Sequence, residues 1–61
     1  LDKKQLAIGI AVEMEHTNNK KTALEIAIDH LTEKNDYYTE LIKSGIVDEK
    51  EALRLYNKFY K

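Results

Sequence analysis

Cysteine is absent from this 61-residue chain. That excludes a disulfide framework, a thiolate zinc site and a cysteine nucleophile. No excess of one charge exists either: ten Lys/Arg face eleven Asp/Glu, a net charge of -1. Such a balance provides no long-range field to gather DNA, RNA or an anionic membrane. No apolar run approaches the roughly 18 residues of a membrane span. The cationic start and the apolar segment from Leu6 to Val12 are followed by acidic Glu13 and Glu15, where a signal peptide would carry small residues. Two glycines make no phosphate-binding loop, and no serine stands in a nucleophile setting. A chain of this size buries only about 60% of its unfolded surface, so it reads as one domain, 1–61, with a small core. Its first residue, Leu1, suggests a domain excised from a longer protein, and a cytoplasmic location is expected.

What is present is helix punctuation. Asp2 with Gln5 fits a capping box, and Leu1 with Leu6 fits a hydrophobic staple. Together they predict a helix over 3–17. The same stretch also alternates, with Ile8, Ile10, Val12 and Met14 apolar, and Gly9 disfavours a helix by about 1 kcal/mol relative to alanine. Helix is preferred over strand because of the cap and because no partner strand occurs elsewhere. Asn19 caps a second helix, 20–34, whose core face is Ala23, Leu24, Ala27, Ile28 and Leu31. Asn35 and Asp36 start a third, 36–44, closed by Gly45 in the left-handed conformation. Asp48 with Glu51 forms another capping box, Val47 and Ala52 its staple, for a fourth helix over 49–60. The expected fold is all-α, a compact bundle of about four short helices with short connections.

Both histidines have a glutamate three positions away, in Glu13-x-x-His16 and His30-x-x-Glu33. Residues so spaced share a helix face, and Glu-x-x-His pairs on facing helices are the ligand set of dimetal bundles. Glu13, His16, His30 and Glu33 are thus the candidate metal ligands, with hydrolytic chemistry as the associated activity. Level arithmetic opposes convergence. With a tight turn at Asn18-Asn19, Glu13 lies about 8 Å and His30 about 17 Å from it, so the pairs are offset by about 10 Å. An extended segment over 6–14 would bring them level. The preferred reading is therefore structural, with no cofactor. His16 sits by the last carbonyls of the first helix. Glu13, Glu15 and Glu25 face water, and His30 is half-buried against a carboxylate such as Glu33 or a backbone group.

The aromatics Tyr37, Tyr38, Tyr56, Phe59 and Tyr60 all lie in the C-terminal half. They serve either core packing or a patch that binds another protein or a second copy. Lys58 and Lys61 stand near the rings, but Glu49 and Glu51 share the helix, so nucleic acid is not expected as a partner.

The segments Gly9-Ile-Ala-Val-Glu-Met-Glu-His-Thr17, Ile26-Ala-Ile-Asp-His-Leu-Thr-Glu33 and Asp36-Tyr-Tyr-Thr-Glu-Leu41 together resemble a small uncharacterised domain family. That family occurs in bacterial and phage-encoded proteins, some from virions or mobile elements. The resemblance spans about residues 5–42 and departs at Asn35, where the family often has proline. It implies no activity, but it singles out Glu13, Glu15, His16, His30, Glu33, Asp36, Tyr37 and Tyr38. Separately, Gly45-Ile-Val-Asp-Glu-Lys-Glu51 is similar to the turn and helix start of short C-terminal domains of many bacterial proteins. The expectation is a non-enzymatic protein-interaction or accessory module of a phage or mobile-element protein. A metal-binding domain using the four Glu/His residues is the alternative.

Overall fold

The computed structural model describes residues 2–60, with side chains described through Lys58. Leu1 of the predicted staple, Lys61, and the side chains of Phe59 and Tyr60 lie outside the described residues. Four helices follow one another: α1 (Lys3–Glu13), α2 (Lys20–Glu33), α3 (Tyr37–Lys43) and α4 (Glu49–Tyr60). The all-α bundle is thus as expected, and no strand forms among the described residues.

Local chemistry sets most of the ends. Asp2 accepts from the Gln5 N–H at 3.0 Å, Asn19 from the Thr22 N–H at 3.1 Å, and Asp48 from the Glu51 N–H at 3.0 Å. Each satisfies an orphan donor of a first turn. After α3, Gly45 adopts φ +82°, the Ile46 N–H reaches the Leu41 carbonyl at 3.1 Å, and the Gly45 N–H reaches that of Ile42 at 3.0 Å. This is a Schellman closure, open to glycine because it lacks a Cβ. The reciprocal halves of the two capping boxes do not form. The Gln5 side chain crosses to α3, and that of Glu51 pairs with Arg54. Asp36 precedes α3 without a side-chain cap bond.

The largest departure from expectation is the end of α1. It stops at Glu13, four residues short of the predicted Thr17, while α2 and α3 differ from their predicted bounds by single residues. The Glu15 and His16 N–H groups reach back three residues, to the Val12 and Glu13 carbonyls, which tightens the final turn. Thr17 Oγ1 then accepts from the Asn19 N–H at 3.2 Å. The short polar side chains of Thr17-Asn18-Asn19 compete locally with helical bonding, as such residues do. The result is a connection over residues 14–19 instead of a two-residue turn.

α1 is the central element and contacts each of the other three helices. Ala7, Ile8, Gly9, Ile10 and Ala11 are consecutive and all buried. A helix enclosed on nearly every side loses the 3.6-residue pattern of one apolar face. That explains the strand-like alternation in its sequence. α2 does present a clean stripe, with Ala23, Ala27 and Leu31 buried, and Ala52 anchors α4 to the same core. α3 contributes a single fully buried residue, Tyr38.

Candidate functional site

Gln5, Gly9 and Glu13 are spaced at four, so they form one stripe along α1. α3 lies against this stripe. At one end, Gln5 Oε1 accepts from the Thr39 backbone N–H at 3.2 Å, and Gln5 Nε2 donates to Thr39 Oγ1. Gln5 thereby satisfies a first-turn donor of α3, the task Asp36 does not perform. In the middle, the Tyr38 ring lies on Gly9. A Cβ at Gly9 would fall 2.8 Å from Tyr38 Cζ and closer still to Cε2. Only a residue without a side chain admits the ring there. At the other end the Tyr38 hydroxyl donates to Glu13 Oε2 at 2.9 Å.

Around this contact a polar and aromatic cluster closes. His30 Nε2 of α2 stands 3.7 Å from the same Glu13 oxygen. The His30 ring is 4.4 Å from that of Tyr37 and 6.2 Å from that of Tyr38, and the two tyrosines meet edge to face at 4.9 Å. Tyr38 is fully buried and Glu13 is 8% exposed, whereas His30 and Tyr37 reach the surface in part. Burial, then the hydrogen bond to Glu13 and the charge of Glu13, push the Tyr38 phenol well above its ordinary value. Tyr38 therefore keeps its proton and serves Glu13 as a hydrogen-bond donor.

Several expectations change here. Glu13 does not face water; it is the carboxylate that His30 and Tyr38 share. Glu33, proposed as the partner of His30, is exposed. The predicted 10 Å offset does not separate Glu13 from His30, because the connection over 14–19 is longer than the assumed turn. Six residues span up to about 20 Å, enough to set Glu13 level with His30 without any strand. His16 falls beyond the end of α1 and is exposed. Glu15 and Asp36 are also exposed. Among the described residues, no three His, Asp or Glu side chains come close enough to hold one metal ion, so the four candidate ligands do not share one site. Tyr38 is withdrawn from the proposed contact surface, because its ring fills the Gly9 notch. Tyr37 and Tyr56 remain half-buried, and the side chains of Phe59 and Tyr60 lie outside the described residues.

Two site residues were not identified from sequence as such. In the sequence Gln5 reads as half of a local cap and Gly9 as a weakness of the helix. Their signal was the spacing of four that links them to Glu13, with a glycine in the middle of an otherwise apolar helix.

The arrangement satisfies itself. Among the described residues no buried side-chain nitrogen or oxygen lacks a partner. No helix there is long and apolar enough to cross a membrane. A family model described as "Protein of unknown function (DUF5661)" matches residues 1–44, the portion that holds α1, α2, α3 and the whole cluster. No curated protein and no solved structure matches the chain.

Proposed function

The chain belongs to this family of proteins of unknown function, DUF5661, and from its geometry we propose that it is a non-enzymatic helical interaction module. Its Glu13–Tyr38–His30 cluster fixes the packing of three helices. One observation carries this reading: the Glu13 carboxylate, at the centre of the cluster, is buried and accepts from the buried Tyr38 hydroxyl, with His30 3.7 Å away. The two groups joined by that hydrogen bond are both buried, so neither is presented to a substrate as an acid or a base. A domain this small has a limited core, so attachment to a larger chain or partner adds stability. The resemblance of the Val-Glu-x-Glu-His and Asp-Tyr-Tyr segments to domains of phage-encoded proteins supports an accessory role in a phage or mobile-element protein.

Sedimentation across a concentration series, beside a screen of hydrolase and transferase substrates, tests the reading. Expected are association, with itself or with an added partner, and no turnover that depends on His30. Turnover abolished by His30→Ala in a folded variant would overturn it, as would a chain that stays monomeric and binds nothing.

A further inference from the structure

A different face of α1 meets α4 and the connection before it. Val12, Val47 and Leu55 form the apolar floor of a groove of about 220 Å³, backed by the buried Ala11 and Ala52. Ile46 makes one lip and is 73% exposed. Glu15, Asp48 and Glu51 stand on the rim, and no Lys, Arg or His is among the lining residues. Asp48 and Glu51 already have partners in the first turn of α4 and in Arg54. Glu15 is exposed and has no ion pair among the described residues.

The size argues against a small-molecule site, since pockets that enclose such ligands run to roughly 300–1,000 Å³. It suits one or two anchor side chains inserted from another polypeptide. A second copy docking on the same patch would bring its own carboxylates to an identical rim, and like charges would oppose each other. We propose that this groove docks an amphipathic helix of another protein, with apolar anchors at i, i+3 or i+4, and i+7, flanked by Lys or Arg. The anchors fill the Val12–Val47–Leu55 floor against Ile46, and a basic residue of the helix meets Glu15, the rim carboxylate that has no ion pair among the described residues. The proposal rests on the interaction-module reading and names the chemistry of its partner.

The probe is a synthetic helix of about 18 residues, long enough to be partly helical in water. It carries Leu at those spacings and Lys beside them. Two controls have the same composition scrambled, or Glu in place of Lys. Fluorescence anisotropy with the full chain is expected to show saturable binding of the Lys/Leu helix alone, weakened by added salt. Ile46→Asp is expected to weaken it at least about tenfold, and Glu15→Lys about threefold. Both positions are exposed, and unchanged melts would show that both variants fold. Absence of saturable binding, equal binding of either control, or full binding by Ile46→Asp overturns the proposal. A dimer of the chain that Ile46→Asp dissolves also overturns it, by placing a second copy in the groove, while leaving the interaction-module reading intact.

Discussion

Helices α3 and α4 rest on the same central helix by different chemistry. α3 has seven residues and one buried side chain, and it is fastened by hydrogen bonds that its Thr39 N–H and Tyr38 hydroxyl donate to Gln5 and Glu13, with the tyrosine ring set on Gly9. α4 has twelve residues and lies on α1 through an apolar stripe that includes Ala52, with Lys4 and Glu49 paired at 3.1 Å on the exposed edge. A helix of two turns has too little apolar area to dock by burial alone, so its position has to be specified by shape and polar contacts. A helix of three turns with a stripe needs neither. The first kind of docking should be brittle toward small chemical changes, and the second tolerant of them.

The sharpest way to break this contrast is Tyr38→Ala. It empties the notch and leaves Glu13 without its donor, at an expected cost of about 3–5 kcal/mol. That is about the whole stability a core of this size provides, so circular dichroism should show an unfolded chain. Gly9→Ala comes next. At an open helical position the change would stabilise by about 1 kcal/mol. Here the added carbon overlaps the Tyr38 ring, and urea unfolding should show a net loss of about 1–3 kcal/mol. Gln5→Ala removes a distant cap and should cost about 1 kcal/mol, with amide exchange accelerating first in α3. On the other side of the comparison, Leu55→Met keeps volume in the α4 stripe and should cost less than Gln5→Ala, well under about 1.5 kcal/mol.

The pH response separates the helices again. Tyr38 has its phenol raised in the folded state above the ordinary value of about 10. Its contribution is therefore complete below about pH 10 and is lost as pH climbs from there toward the folded-state value. Thermal melts should fall more steeply above pH 10 in the parent chain than in Tyr38→Phe. A chelator should move the melting temperature least of all. With no group of three potential ligands among the described residues, no shift is expected.

This difference in docking also explains what could be read from the sequence. The caps at Asp2, Asn19 and Asp48, the glycine closure at Gly45 and the stripe of α2 are relations over three to five residues, so spacing alone reveals them. α4 was placed by the same logic. The docking of α3 was not visible, because its partners lie 34 and 25 residues away in Gln5 and Glu13. Gly9 reads as a defect in the sequence, since burial of the consecutive residues Ala7 to Ala11 erases the periodicity that marks a helix with one apolar face. The end of α1 depends on competition from Thr17-Asn18-Asn19 for backbone bonds, and a helix continued to Thr17 would hold Glu13 and His30 about 10 Å apart along the hairpin. Spacing of three pairs Glu13 with His16 and His30 with Glu33 inside each helix, whereas the structure joins Glu13 to Tyr38 and sets it beside His30 across helices and leaves His16 and Glu33 exposed.

A double-mutant cycle on Tyr38→Phe and Glu13→Gln, read by urea unfolding, tests the central contact most directly. If the hydroxyl and carboxylate hold α3 on α1, the two losses should be coupled by at least about 1 kcal/mol, within the range for residues in direct contact. Losses that simply add would contradict it.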